Sequence, residues 1–260
     1  MSGFLRSRLT VRSVIFALSV ALLPSLPARA SAPAGLVGTA SVIPGLGQTL
    51  NGNIVEGVGW FGSIFSLYFL NSNSGLRQVG WDLWMYNMYD AYRDAKPKIK
   101  RYANHNVAQN YLAAFNPLNV LDPVGASVVG VAAFSGYSVG YPALRLTSVP
   151  LVYGVVGMGE EGLFRGFLFP AFSDLFHSAI LGSVVSSVAF GLIHATGGVE
   201  NLQPLVLGQR IVFGLIFCYQ AHRNRYDLRK SIFAHTWYDI LVDRGGKIDG
   251  LKVMIPILRF

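Results

Sequence analysis

The sequence predicts an all-α protein, a multi-spanning bundle of transmembrane helices with a glutamate–histidine site inside the membrane. Three observations lead there. Of 260 residues, 52% are hydrophobic and only 13% are charged, and the mean hydropathy is +0.43; a soluble domain carries about 25% charged residues. From Val124 onward, apolar runs of helix length follow one another with short polar breaks. Two of the four glutamates, Glu160 and Glu161, stand side by side in the apolar, glycine-rich run Tyr153–Pro170. Charges in such a segment are costly and mark a site by default.

The formal net charge is +8. Arg6, Arg8, Arg12 and Arg29 fall in the first thirty residues, which hold no acid, and removing them leaves 17 − 13 = +4. The remaining basic residues gather largely in two loops, 96–101 and 222–230. That is the charge pattern of cytoplasmic loops in a membrane protein. No interleaving of basic and aromatic residues points to nucleic acid. The single cysteine, Cys218, lies in an apolar run, so an internal disulfide and a cysteine metal site are both excluded.

Residues 1–30 read as a secretory signal peptide. A charged start precedes an apolar stretch from Val14 to Leu23, and Ala28-Arg29-Ala30 offers a small-x-small cleavage pattern before Ser31. Residues 31–116 form an N-terminal membrane-associated module with one spanning helix and one interfacial helix. Pro44, Gly45 and Gly47 break its first apolar piece, so 36–50 reads as interfacial or re-entrant. Residues 54–70 read as the spanning helix. The stretch 79–95 mixes Trp and Tyr with Asp82, Asp90, Arg93 and Asp94, which fits an amphipathic helix lying on a membrane surface with its charges solvated. Asn116-Pro117 and Asp122-Pro123 are turn signals and bound the core, 117–244. Residues 245–260 form a tail of unknown role.

In the core, 124–141, 149–170, 178–196, 204–219 and 231–242 read as helices. A cleaved leader would leave Ser31 outside, and one crossing at 54–70 would bring loop 96–101 inside. Four further crossings then return loop 222–230 to the same side, as the positive-inside rule asks.

The chemistry concentrates in three motifs. Arg165 follows Glu161 by four residues, so on a helix the two share a face, while Glu160 points about 100° away. The arginine can hold one carboxylate and leave the other free. Two of five histidines, His194 and His235, fall in apolar helices, and Asp239 follows His235 by four residues. Gly154, Gly157, Gly159, Gly162 and Gly166 let neighbouring helices approach the first motif closely. The same residues also admit a purely structural reading as an ion pair, two hydrogen-bonded histidines and a packing stripe.

Glu160-Glu161-x-x-x-Arg165, Phe190-x-x-x-His194 and His235-x-x-x-Asp239 resemble, in order and in setting, the three-motif signature of the CAAX prenyl protease and bacteriocin-processing (CPBP, or Abi) family. The resemblance covers roughly residues 120–243 and does not reach 31–116. It implies an intramembrane glutamate-dependent endopeptidase. Glu160 with His194 would activate a water, His235 and Asp239 would stabilise the oxyanion, and Glu161 and Arg165 would support them. The partners implied are the bilayer and a membrane protein or peptide substrate. The location implied is a bacterial-type cytoplasmic (inner) membrane, in multi-pass form. A bacterial-type leader argues against prenylated proteins as the target.

His194, His235 and Glu160 could also bind Zn²⁺ and leave a position for water, as in a metalloendopeptidase. The sequence leaves metal-dependent and metal-independent mechanisms equally open. A non-catalytic membrane protein for partner binding or bacteriocin-type self-immunity is the alternative of a different class. An ion transporter is a third, disfavoured because no inverted repeat is visible.

Overall fold

A computed structural model describes residues 33–138, 149–194 and 204–242. The signal-peptide reading of 1–30 and the tail 245–260 lie outside these residues. Every regular element among the described residues is helical.

The N-terminal part begins with two short helices, α1 (Ala34–Ala40) and α2 (Leu46–Leu50), joined through Pro44 and Gly45. Gly45 has φ of +79° and its Cα lies hard against the Gly57 carbonyl, so a side chain fits neither the conformation nor the space. The Pro-Gly-Leu-Gly-Gln…Asn-Gly segment clasps a longer helix, α4 (Ser74–Ala95). Asn87 Nδ2 donates to Ser41 O, Gln48 Nε2 donates to Asn87 O and Asp90 Oδ2, and Asn51 Nδ2 donates to Ala91 O.

Between α2 and α4 runs α3 (Ile54–Ile64), continued by a π-helical turn, Phe65–Leu70. Trp60 Nε1 donates to Asp90 Oδ2 over 3.2 Å, and the Tyr68 ring lies 5.9 Å from Trp81 and 5.7 Å from Trp84. Residue numbers rise along α3 as they fall along α4, so the two form an antiparallel hairpin. This corrects the surface-helix reading of 79–95. Tyr86, Tyr89 and Tyr92 are fully buried, as are Asp82 and Asp90. At about 1.5 Å per residue, the 22 residues of α4 reach roughly 33 Å. Its length suits a crossing although its composition does not. The chain therefore runs out along α3 and back along α4, and residues 51–53 end up at the same end of the molecule as loop 96–101.

Apart from short turns at Pro97–Lys100 and Pro117–Leu121, the remaining helices are α5 (Val107–Ala113), α6 (Pro123–Ser138), α7 (Val149–Glu161), α8 (Phe169–Leu175), α9 (Ala179–Ile193), α10 (Pro204–Arg223) and α11 (Arg229–Val242). A π-helical stretch, Gly162–Leu168, joins α7 to α8 and carries Arg165; wide turns of this kind recur at functional sites. The α7 rod is the centre of the packing. Gly157 meets Thr236 and Ile232 of α11, Gly159 meets Asp82 of α4, and Gly162 and Gly166 meet Tyr86 and Tyr89 of α4. The glycine stripe thus seats helices on two sides.

The two basic loops lie against each other. The Arg225 guanidinium stands 4.8 Å from the centre of the Tyr102 ring, His105 Nε2 lies 3.7 Å from Asp227 Oδ2, and Lys96 pairs with Asp174. Large apolar side chains on the outside include Val55, Val58, Phe61, Leu112, Phe134, Ile180 and Leu205. Among the described residues α10 is the one helix both long and apolar enough to cross a membrane, with shorter apolar helices at Ile54–Leu70, Pro123–Phe134 and Ala179–Ile193.

Candidate active site

Four helical segments converge at the C-terminal end of α7. Glu160 and Glu161 end that helix, and Arg165 follows one turn later in the π-helical stretch. His194 caps the C-terminus of α9, while His235 and Asp239 lie on one face of α11. All six residues singled out in the sequence come together.

Glu161 and Arg165 have no solvent exposure, and Arg165 Nη1 stands 3.1 Å from Glu161 Oε1. The guanidinium is also held by rings, with Phe190 at 4.2 Å and Phe217 at 5.0 Å from Arg165 Cζ. Cation–π contacts of this kind strengthen when water is excluded. The same Glu161 oxygen lies 2.8 Å from His235 Nδ1. An ionised carboxylate only accepts, so Nδ1 carries the proton and Nε2 is turned the other way. The Phe217 ring stacks on the His235 ring at 5.3 Å with an interplanar angle of 11°.

His194 is fixed by the same logic. Its Nδ1 is 2.8 Å from the Phe190 carbonyl, and a carbonyl cannot donate, so this nitrogen holds the proton. Its Nε2 then faces Glu160, at 3.2 Å from Oε2. His235 Nε2 faces the same oxygen at 3.4 Å, and lies 3.6 Å from Asp239 Oδ2. These are ion-pair distances without aligned hydrogen bonds, and Glu160 Oε2 has no hydrogen-bond partner among the described residues. The side chains of Glu160 and His194 keep 13% and 24% of their surface accessible, whereas Glu161 and Arg165 keep none. One carboxylate is locked and its neighbour is open. Two imidazole nitrogens converge on the open one.

Among the described residues, no group of three or more His, Cys, Asp or Glu side chains is arranged to hold a metal ion.

Sequence reasoning missed two contributions. Phe190, quoted only as part of the second motif, supplies both the carbonyl that orients His194 and a ring on Arg165. Asp82 was assigned to a solvated face, yet it is buried where α4 crosses Gly159. Its neighbours on the same helix face, Val79, Met85 and Tyr86, were the available signal, since a solvated face is seldom so apolar.

An all-helical protein whose centre pairs a locked glutamate with an open one between two oriented histidines defines a class by its site. A family model described as Type II CAAX prenyl endopeptidase Rce1-like matches residues 142–241. The resemblance to the CAAX prenyl protease family therefore holds over the stretch that carries Glu160, His194 and His235. Proteins of this family are membrane proteins, and the matched stretch covers less than half of this chain. No curated protein and no solved structure matches the chain.

Proposed function

We propose that this protein is an intramembrane endopeptidase in which Glu160 activates a water for attack on a peptide bond of a membrane-associated protein or peptide. The observation that carries this reading is the approach of two oriented imidazole nitrogens, on separate helices, to one oxygen of a partly exposed carboxylate at 3.2 and 3.4 Å. Glu160 takes a proton from the water, and the resulting hydroxyl adds to the carbonyl carbon. His194 holds the water against Glu160; its Nδ1 proton is committed to Phe190 O, so Nε2 is free to accept. His235, carrying a second proton on Nε2, donates to the developing oxyanion, and Asp239 keeps the ring in place. Glu161 and Arg165 orient His235 through Nδ1. A general base and an oxyanion donor within reach of one carbonyl are what peptide hydrolysis needs.

The setting we assign is a bacterial-type inner membrane, crossed several times, with both basic loops on the cytoplasmic face. Residues 31–116 form a module packed on the protease core, 117–244. Comparative membrane proteomics of wild type against Glu160→Ala identifies the substrate. Glu160→Gln, which preserves size while removing the base, then abolishes its cleavage by purified protein. Full activity in that variant would overturn the glutamate mechanism. On the direct-water reading chelators leave activity unchanged, whereas loss restored by Zn²⁺ would move His194, His235 and Glu160 into a metal-holding role.

A further inference from the structure

The two basic loops meet at one ring. The Tyr102 side chain is exposed and has the Arg225 guanidinium at 4.8 Å and the Arg101 guanidinium at 5.7 Å from its centre. Arg101 comes from the N-terminal module and Arg225 from the core, and both are exposed. Among the described residues, no carboxylate stands within ion-pair distance of either. Asp94, Asp122, Asp174 and Asp227 each already hold another cation. Two like charges are left gathered on one ring at the junction.

The backbone beneath fixes both positions. Arg225 and Tyr226 have φ of +56° and +65°, a conformation uncommon for residues with a side chain. The turn is kept by Tyr226 N–H donating to Ala221 O at 2.8 Å, by Asn224 Nδ2 donating to Gln220 O at 2.9 Å, and by the Tyr226 ring at 5.6 Å from Phe169. Strained residues of this kind persist where their surroundings enforce them, and they cluster at ligand clamps. Across the junction, Arg101 ends the short turn Pro97–Lys100, whose Ile99 is buried, and Ala103 just beyond is buried too.

The height of the junction selects the anion. Among the described residues α10 is long and apolar enough to cross a membrane, and it ends at Arg223. Its outward side chains include Leu205, Val212 and, one turn before the end, Tyr219. An outward tyrosine at the end of an apolar helix marks the headgroup level, and Arg225 follows just past that end. Basic groups immediately beyond a crossing face the phosphates of anionic lipids. We propose that Arg101 and Arg225, gathered by Tyr102, bind the phosphate of an anionic phospholipid headgroup at the cytoplasmic surface. Arginine suits this because its planar fork takes two phosphate oxygens while it stacks on a ring. One lipid then ties the N-terminal module to the core from the membrane side. The inference rests on the membrane setting and is independent of the glutamate mechanism.

The test uses the full chain in a neutral detergent and phosphatidylglycerol labelled on its acyl chain, with binding read by energy transfer from the protein's tryptophans. Phosphatidylcholine with the same label is the zwitterionic reference. Wild type binds the anionic lipid more tightly than the zwitterionic one. Arg101→Gln and Arg225→Gln each weaken the anionic lipid about 5-fold, the worth of one basic residue at a lipid surface, and the double variant about 25-fold. Lys96→Gln with Lys100→Gln removes two charges from the same loop, but charges that already hold acids, and leaves the affinity close to wild type. Tyr102→Leu keeps every charge and still weakens binding, because the guanidiniums lose the ring that gathers them. Arg101, Tyr102 and Arg225 are exposed, so their variants melt as wild type does. Equal affinity for the two lipids would overturn the site. Equal losses in the two double variants would reduce it to diffuse charge, and unchanged binding in Tyr102→Leu would remove the ring from it; either result overturns the proposal. Displacement of the labelled lipid by inorganic phosphate alone would assign the anion to the soluble side and overturn the lipid.

Discussion

The Asp90–Arg93 cluster of the N-terminal module and the Glu160 cluster of the core are both buried and both charged, but they are finished differently. Asp90 Oδ1 accepts from Arg93 at 2.7 Å, and its Oδ2 accepts from Gln48 and Trp60 at 3.2 Å each. Arg93 Nη1 reaches the His105 carbonyl at 2.7 Å, and its Nε reaches Asp94 at 3.2 Å. Apart from Gln48 Oε1, that network is satisfied. Around Glu160 the reverse holds: Asp82 Oδ1, Glu160 Oε2, Glu161 Oε2 and all three Arg165 nitrogens lack an aligned hydrogen bond among the described residues. A satisfied buried network rigidifies a fold, whereas unsatisfied groups need an explanation of their own. The first cluster fastens the Pro-Gly-Leu-Gly-Gln segment and α3 to α4. The second keeps unfilled bonding capacity, and of its carboxylates only Glu160 retains some exposure.

Removing a cation from each cluster separates the two roles. Arg93→Ala and Arg165→Ala each leave a buried carboxylate behind, at a cost of about 3–5 kcal/mol. Both variants should show lower abundance and earlier melting in detergent. Turnover per folded molecule should stay at the wild-type level for Arg93→Ala and drop for Arg165→Ala, where His235 loses a correctly charged Glu161. Equal turnover in the two would dissolve the contrast.

A smaller effect is expected at the crossing of α4 and α7. Gly159→Ala puts a methyl group 2.4 Å from the Asp82 carbonyl oxygen, and overpacking of this kind costs about 1–3 kcal/mol. Thermal melting gives the cost. An unperturbed melting curve would show that α4 does not press on α7.

Asp122 gives a pH signature away from the site. Burial works to raise its pKa, but the Gly125 N–H, the Gln220 amide, Arg223 and Lys230 outweigh it and hold the carboxyl below its ordinary 3.8. The folded value is the lower one, so the stabilisation is complete above the ordinary value and fades as pH falls through the folded one. Stability should therefore rise with pH across that acid window in wild type, and less steeply in Asp122→Asn. Parallel acid-unfolding curves would contradict the linkage.

The least perturbing experiment concerns the hairpin. Cys218 is the single cysteine and is buried, so Cys218→Ala provides a clean background. Cysteines at Asn53 and Lys98 should be labelled from one side of the membrane, and a cysteine at Ser72 from the other. Labelling of positions 53 and 98 from opposite sides would restore the single crossing.

The core helices were legible because apolar length and glycine spacing are local signals, and α7, α9, α10 and α11 start or stop close to where composition changes. The site was legible because Glu161 and Arg165, and His235 and Asp239, are one helical turn apart. The helix α4 was misread for a physical reason. Its Asp82, Asp90 and Arg93 look solvated in one dimension, but Asp90 is bonded by Gln48 and Trp60, 42 and 30 residues away in sequence, and Asp82 is covered by Gly159 of α7. Burial of a charge is decided by such distant partners. The orientation of His194 was hidden in a similar way, since it depends on a backbone carbonyl that no side-chain pattern reveals.

That Glu160 and His194 act as a unit on one water is best tested by single-turnover cleavage with wild type, Glu160→Gln, His194→Ala and the double variant. Groups that act together are strongly non-additive. The account predicts similar, large losses for the two single variants and a double variant little worse than either. Multiplying losses, or substantial activity in Glu160→Gln, would contradict it.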